Sequence, residues 1–291
     1  MKVGAVFPQT EIGSDVGAIR AYAEGLDSIG FDHVLAYDHV LGADPAVHEG
    51  WDGPYDVHTT FHEPLVLFGY LAAISRLELV AGVIILPQRQ TALVAKQAAQ
   101  VDLLSRGNFR LGVGVGWNAV EYAALGQDFS SRGRRMDEQV ELLQRLWTEQ
   151  TVTARVGAEE VVGAGLAPMP MQRPIPLWFG GSSTAAYRRI GRFGAGWFPQ
   201  LRPGQDLEDA LSIIGESARD AGRDPSEIGM EGRVSWAGSV GKLYEQAGRW
   251  EAIGASHLTI NTMGANLARV DDHLAVLAEL GDVLDLRRSV R

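Results

Sequence analysis

Short apolar segments alternate with longer amphipathic segments along the whole chain, and this alternation limits the possible folds more than any other feature. The apolar segments are rich in β-branched residues and predict eight strands: Lys2–Phe7, Val34–Tyr37, Leu77–Ile85, Phe109–Val115, Pro176–Phe179, Ala195–Phe198, Ile228–Val234 and Leu258–Asn261. Apolar residues recur at helical spacing in the segments between them, which predict eight helices: Asp15–Ile29, Glu63–Ser75, Thr91–Leu104, Arg135–Glu149, Ser183–Phe193, Leu207–Ala221, Lys242–Ile253 and Asn266–Leu280. No linker or change of composition interrupts the series.

Eight such units are the number that a closed parallel barrel requires, so the predicted fold is an α/β (β/α)8 TIM barrel in one domain, residues 1–291. A doubly wound open sheet is the alternative. The segment Thr151–Gly163 predicts a small inserted hairpin with Gly157 and Ala158 near its turn. The helix Glu63–Ser75 is apolar nearly all round, so we expect it to be covered on both sides.

Composition excludes several classes of protein. The chain contains no cysteine, which rules out disulfides, thiolate metal sites and cysteine nucleophiles. A net charge of -10 argues against nucleic acid and anionic membranes as partners, because both bind basic surfaces. No apolar run reaches the roughly 18 residues that span a bilayer, and Met1–Pro8 is too short for a signal peptide. We therefore expect a cytoplasmic protein that acts on small molecules.

Ligands of a β/α barrel bind at the loops that follow the strands, and two of these loops are rich in glycine. Gly114, Gly116, Trp117 and Asn118 belong to a G-x-G-x-x-A pattern after the fourth strand. Its glycines allow either close packing of a helix on a strand or close approach of the backbone to a flat ring.

The second glycine-rich loop, Gly180, Gly181, Ser182 and Ser183, leaves a strand and opens a helix. Free N–H groups, the helix dipole and hydroxyls predict a phosphate site there. Alternatively, Ser182 or Ser183 only caps the helix.

Asp38 and His39 follow the second strand. Histidine can transfer a proton near neutral pH, and an adjacent carboxylate would tune it, so His39 is the catalytic candidate. The alternative is a hydrogen-bonded structural histidine. The other histidines lack ligand spacing, and no metal site is predicted.

Several motifs together resemble the luciferase-like monooxygenase superfamily, specifically the branch that uses the deazaflavin cofactor F420. They are Lys2–Gln9, Leu35–His39, the third-strand block up to Arg89, Lys96–Ala99, Leu103–Gly107, Arg110–Trp117 and Pro174–Gly181. The resemblance implies that FMN or F420 lies in the barrel mouth, with its phosphate at Gly180–Ser183. It also implies a cis peptide bond between Gly82 and Val83 that bulges against the ring, and contact of Asp38 and His39 with the cofactor.

One residue departs from this branch. Its sugar-phosphate dehydrogenases carry a catalytic glutamate directly after the glycine run, where this sequence has Trp117. That activity is therefore not expected, and Trp117 predicts an apolar or aromatic wall beside the cofactor.

The resulting hypothesis is a hydride-transferring oxidoreductase that uses F420 and a small, fairly apolar organic substrate. The alternatives are an FMN-dependent monooxygenase of the same fold and a non-catalytic flavin- or F420-binding carrier or sensor. Members of the superfamily commonly dimerise, and the apolar helix Glu63–Ser75 motivates a homodimer here. Arginines near the loops are candidates to bind the acidic tail of F420: Arg89, Arg132, Arg134 and Arg135.

Overall fold

The computed structural model describes residues 1–286, and its strands and helices follow the predicted alternation closely. The strands are β1 (Lys2–Val6), β2 (His33–Ala36), β3 (Glu78–Ala81), β4 (Ile84–Ile85), β5 (Phe109–Gly114), β6 (Val152–Val156), β7 (Glu159–Ala164), β8 (Leu177–Gly180), β9 (Gly196–Phe198), β10 (Gly229–Ser235) and β11 (His257–Asn261). The helices are α1 (Gln9–Ile12), α2 (Val16–Ile29), α3 (Pro64–Ile74), α4 (Thr91–Leu104), α5 (Ala119–Ala124), α6 (Arg132–Thr148), α7 (Thr184–Phe193), α8 (Gln205–Asp220), α9 (Val240–Ala252) and α10 (Val270–Val283).

The sheet is a closed parallel barrel. Its strands follow the order β3, β2, β1, β11, β10, β9, β8, β5, and the pairing of β3 with β5, which sets Leu79 opposite Phe109, joins the two ends. The short β4 continues the third strand and pairs with β5. The barrel prediction is confirmed, and the open sheet is excluded. The antiparallel pair of β6 and β7 confirms the inserted hairpin.

Three details differ from the predicted elements. The third strand is not continuous over Leu77–Ile85, because it is interrupted at Gly82 and Val83, whose peptide bond is cis as the resemblance implied. The short helices α1 and α5 were not predicted. The last helix begins at Val270 rather than Asn266, because Asn266 has a φ of 59° and lies outside helical backbone geometry.

The core has two parts: a shell between strands and helices, and the barrel interior. Apolar residues fill the shell, while His33, Arg110, Glu231 and Thr259 form a buried polar network in the interior. Within residues 1–286, no helix combines the length and apolar character needed to cross a bilayer.

The helix α3 is covered on one side only. Leu67, Phe68 and Leu71 are buried against the rest of the chain, but Val66 is 71% exposed and Tyr70 is 36% exposed. The expectation that both sides of this helix are covered is therefore wrong for the described part of a single chain.

Candidate active site

A cavity of about 660 Å³ opens at the carboxyl ends of the barrel strands. Ten of the twelve residues predicted for the site line it: Asp38, His39, Gly82, Val83, Gly116, Trp117, Gly180, Gly181, Ser182 and Ser183. Gly114 and Asn118 do not line it. The second, third, fourth and fifth strands of the barrel thus bring the predicted residues together, although they are distant in sequence.

The glycines of β5 and β8 make room for the interrupted third strand. A Cβ atom at Gly114 would lie 2.6 Å from Cγ2 of Val83, and one at Gly180 would lie 3.3 Å from Cγ1 of Val83. A Cβ atom at Gly116 would lie 2.8 Å from Cγ2 of Ile85. Gly114 therefore lies behind the cavity wall and allows Val83 to form that wall. Close approach between strands, rather than a helix packing on a strand, accounts for this part of the glycine run.

Asn118 has a structural role in helix α5. Its Oδ1 atom accepts hydrogen bonds from the backbone N–H groups of Val120 at 3.0 Å and Glu121 at 3.3 Å, so Asn118 is the N-cap. The Asn118 side chain is buried, and its Nδ2 atom donates a hydrogen bond to the carbonyl of Leu41.

The loop Gly180–Ser183 joins β8 to α7 at the edge of the cavity. Ser183 caps α7, since its Oγ atom accepts a hydrogen bond of 3.2 Å from the Ala186 N–H. Gly181 has a φ of 132°, which L-residues rarely adopt. Ser182 is exposed to the cavity, and Arg189 of the same helix lines it. The capping role of Ser183 is confirmed. The N-terminus of α7 still borders the cavity, because Ser183 and Ala186 both line it.

His39 is held by a buried carboxylate that the sequence did not single out. The Nδ1 atom of His39 lies 3.3 Å from Oε1 of Glu121, whose side chain is 1% exposed. The same oxygen accepts hydrogen bonds from the N–H groups of Val40 at 2.8 Å and Leu41 at 3.1 Å. Burial alone would raise the pKa of Glu121, but these hydrogen bonds, led by the one from His39, outweigh burial and lower it. Glu121 is therefore ionised at neutral pH.

Asp38, in contrast, is directed away from His39. Both of its oxygens accept hydrogen bonds from Arg89, at 2.9 and 3.0 Å, and one accepts the N–H of Ile85 at 3.2 Å. Burial raises the pKa of Asp38, and Arg89 opposes that rise. The expectation that Asp38 tunes His39 is corrected by this geometry: the carboxylate in contact with His39 is Glu121, and Asp38 anchors the third strand where it resumes.

Aromatic rings surround the imidazole of His39. Its ring centroid lies 4.7 Å from that of Phe61, 5.1 Å from Tyr55 and 5.6 Å from Trp117. Trp117 is 42% exposed and also packs on Trp51, whose ring lies 5.6 Å away. Trp117 is thus part of an aromatic wall around His39, as predicted from its residue type.

Two further polar side chains of the cavity were missed from the sequence. Tyr37 and Arg233 both line it, and Nη1 of Arg233 lies 3.3 Å from the Tyr37 hydroxyl. Burial raises the pKa of Tyr37, so this hydroxyl stays protonated at neutral pH. A signal for Arg233 was present: Glu231 and Arg233 alternate along the predicted strand Ile228–Val234, and alternate residues of a strand point to one face of it.

Three of the four arginines expected near an acidic cofactor tail have other partners. Arg89 is paired with Asp38 and Glu63, and Arg135 with Glu159. Arg132 stacks on Phe129, and Arg134 is exposed. None of these four arginines lines the cavity, whereas Arg189 and Arg233 do.

Comparison of the chain with known proteins identifies its family. A family model described as luciferase-like monooxygenase matches residues 1–281. An uncharacterised protein of Mycobacterium tuberculosis is 33% identical over 170 residues, which are 58% of this chain and 58% of that protein. The matched region therefore spans less than two thirds of that relative.

A second relative is named F420-dependent glucose-6-phosphate dehydrogenase, from Amycolatopsis mediterranei. It is 25% identical over 244 residues, which are 81% of this chain and 70% of that protein. Among solved structures, an F420-dependent secondary alcohol dehydrogenase in complex with an F420–acetone adduct superimposes with a TM-score of 0.77 at 17% identity, covering 96% of this chain and 97% of that chain. At that identity the superposition shows a shared fold.

The chain belongs to the luciferase-like monooxygenase family. The family contains oxidoreductases and monooxygenases that depend on F420 or FMN and act on small molecules. The resemblance stated from the sequence motifs is confirmed at this level.

Proposed function

We propose that this protein is an F420-dependent oxidoreductase, which transfers a hydride between the deazaflavin and a small organic substrate whose reacting part is apolar. One observation carries the proposal: His39 is fixed by the buried Glu121 at the edge of a cavity whose wall also contains the N-terminus of α7. The proposed proton-transfer group and the proposed anion site thus line the same cavity. The name of the Amycolatopsis relative supports the choice of cofactor.

The residues present fit an anionic flavin-type cofactor. Val83 offers an apolar surface for a flat ring, and the loop Gly180–Ser183 offers N–H groups and the positive end of a helix to a phosphate. Among the described residues that line the cavity, Arg233 forms no ion pair, Arg189 is paired with Asp137, and the one carboxylate, Asp38, is neutralised by Arg89. Bound F420 would supply the hydride acceptor or donor.

His39 has the geometry of a proton donor or acceptor. Because the ionised Glu121 can only accept a hydrogen bond, Nδ1 of His39 is the donor in this pair. Nε2 is then the atom available to exchange a proton with the substrate. The rings of Tyr55, Phe61 and Trp117 orient the imidazole and limit water around it.

The second candidate is an FMN-dependent monooxygenase, which the description of the family model favours. Both cofactors carry a tricyclic ring and a ribityl phosphate, so the glycine-rich loops do not distinguish them. Calorimetric titration of the purified protein with each cofactor decides between the two. We expect F420 to bind at least tenfold more tightly, and a tenfold preference for FMN would overturn the deazaflavin proposal in favour of the monooxygenase.

The same titration tests the phosphate position. Ser182→Asp adds a carboxylate beside the N-terminus of α7 without altering Gly181, and it should weaken binding of either cofactor at least tenfold, about 1.4 kcal/mol. Ser212→Asp, an equivalent change at an exposed position of α8, is the matched control. Equal affinities in both variants would place the phosphate elsewhere.

We also propose that the enzyme is cytoplasmic and forms a homodimer. The exposed apolar side of α3, with Val66 and Tyr70, supports the dimer, as does Leu93 of α4, which is 52% exposed. Light scattering at micromolar concentration should give twice the chain mass of 31.4 kDa, and a mass of one chain would contradict it.

A further inference from the structure

A second cavity, of about 740 Å³, adjoins the candidate active site. It lies between the loop that follows β9 and the helix α9, and it shares Gln200, Arg233 and Ser235 with the first cavity. Four cationic side chains line it: Arg202, Arg233, Lys242 and Arg249. Among the residues that the structure describes, Glu245 is the only carboxylate that lines it. We call it the basic cavity.

The cations of the basic cavity lack carboxylate partners. Within residues 1–286, none of the four forms an ion pair, and the side chain of Arg233 has only the hydroxyl of Tyr37 as a hydrogen-bond partner. Arg89, Arg135 and Arg189, which lie near the first cavity or line it, are all paired with Asp or Glu. The chain as a whole has a net charge of -10. An unpaired cluster of cations in an acidic protein concentrates positive potential in one cleft, which attracts anions.

We propose that the basic cavity binds an anionic group of the substrate, a carboxylate or a phosphate. This assignment rests on the proposed function and names the substrate class for it. The substrate is then amphipathic: its apolar reacting part lies against the aromatic wall near His39, and its acidic group lies among the four cations. Guanidinium groups suit such a ligand, because their paired N–H donors match the two oxygens of a carboxylate or phosphate.

The position of Arg233 favours the substrate over the acidic tail of the cofactor as the occupant. Arg233 lines both cavities and contacts Tyr37, which lies two residues before His39. The basic cavity therefore adjoins the cavity that His39 lines. The loop Gly180–Ser183, where the cofactor phosphate is proposed, does not line it. A substrate that reaches His39 can place an acidic group at Arg233 without passing the phosphate site.

Binding of citrate at low ionic strength tests the basic cavity directly. Citrate is titrated calorimetrically into the purified protein and into a double variant, Lys242→Gln with Arg249→Gln, whose changes lie outside the first cavity. We expect saturable binding that weakens as salt is added, and at least a tenfold loss of affinity in the double variant. The matched control, Arg76→Gln with Arg219→Gln, removes two exposed cations that do not line the basic cavity and should change the affinity less than twofold. Absence of saturable binding, or equal losses in both double variants, would overturn the proposal.

A second titration distinguishes substrate from cofactor tail. F420 with its glutamate tail and F420 without glutamates should each bind the Lys242→Gln, Arg249→Gln variant as they bind the unaltered protein. A loss confined to the glutamate-bearing form would identify the tail as the occupant and reject the substrate assignment. Because citrate binding requires neither turnover nor a particular cofactor, failure of F420 to bind would refute the proposed function while the citrate result still decides the basic cavity.

Discussion

The barrel holds two histidine–glutamate pairs, one at its mouth and one in its interior, and they differ in access and in the number of partners. At the mouth, His39 contacts Glu121 at 3.3 Å, and its side chain is 13% exposed and lines a cavity. In the interior, His33 contacts Glu231 at 2.9 Å, and the two side chains are 0% and 1% exposed. The same two residue types therefore stand in two environments.

The partners show what each pair can do. Glu231 also binds Arg110 at 2.7 Å and accepts the hydroxyl of Thr259, so all of its contacts are internal. Glu121 accepts two backbone N–H groups and one side-chain amide but leaves Nε2 of its histidine without a bond to the described residues. The side chains of the interior pair are almost completely buried, whereas His39 of the mouth pair lines the large cavity. Access to the cavity, rather than the pair itself, distinguishes a catalytic candidate from a structural network.

The largest effect should follow from replacing the histidine of the mouth. His39→Ala should lower turnover by about 10²–10⁴-fold, because it removes the proton-transfer group, while the protein stays folded. Steady-state kinetics and urea unfolding measure turnover and folding on the same preparation. A loss of turnover below about threefold would make His39 structural and remove the distinction between the two pairs.

The interior pair should show the opposite result. Glu231→Gln removes the fully buried carboxylate that both Arg110 and His33 contact, leaves Glu78 as the one carboxylate paired with Arg110 among the described residues, and should lower the free energy of unfolding by about 3 kcal/mol or more. Glu216→Gln, the same change at an exposed position of α8, should have almost no effect on unfolding. If the free energy of unfolding of Glu231→Gln equals that of the unaltered protein, the interior network does not stabilise the barrel.

Glu121→Gln tests whether the mouth carboxylate acts through His39. The amide cannot stabilise a positive charge on the imidazole, so turnover per folded enzyme should fall about tenfold. A purely structural role for Glu121 would lower the amount of folded protein and leave the turnover of the folded fraction unchanged. Glu121→Asp, which keeps the charge, should restore part of the turnover.

The predicted and the observed structures differ where contacts between distant segments decide the outcome. Periodicity located every barrel strand, because burial repeats at a fixed spacing along each element. It did not reveal the interruption of the third strand at Gly82 and Val83, since the apolar run continues through both residues.

The candidate site shows the same limit. His39 and the loop Gly180–Ser183 were found because strand ends meet at one rim of a barrel. Glu121 was missed because it lies 82 residues from His39 in the chain. Its spacing from Asn118 is typical of a capping box, in which a glutamate bonds back to the N-cap. The structure directs this carboxylate to His39, Val40 and Leu41 instead, and only the tertiary contact between α5 and the loop after β2 sets that direction.

The smallest effect concerns acid stability, and it arises beside the interior pair. Burial and the nearby charge of Arg110 lower the pKa of His257 to about 3 in the folded protein. Burial raises the pKa of Glu231, but the neighbouring His33 and Arg110 outweigh burial and hold this pKa well below its usual range. The unfolded histidine takes up a proton below about pH 6.5 and the unfolded glutamate only near about pH 4.3. In both cases the unfolded chain binds more protons at acid pH, so both groups lower stability as the pH falls.

The pH range from 6.5 to 5.5 separates the effect of His257 from that of Glu231, because the unfolded carboxyl group of Glu231 is still ionised there. Over that range His257 should reduce the free energy of unfolding by about 1 kcal/mol or less, since its partial exposure to water weakens the effect. Urea unfolding at pH 6.5 and 5.5 should therefore show a smaller decrease in stability for His257→Gln than for the unaltered protein. The control is His58→Gln, a change at an exposed histidine in the loop after β2. Between pH 6.5 and 5.5, the free energy of unfolding of this variant should decrease as much as that of the unaltered protein. Equal decreases in the free energy of unfolding for His257→Gln and His58→Gln would mean that His257 is protonated in the folded barrel. The barrel interior would then accommodate a positive charge on histidine.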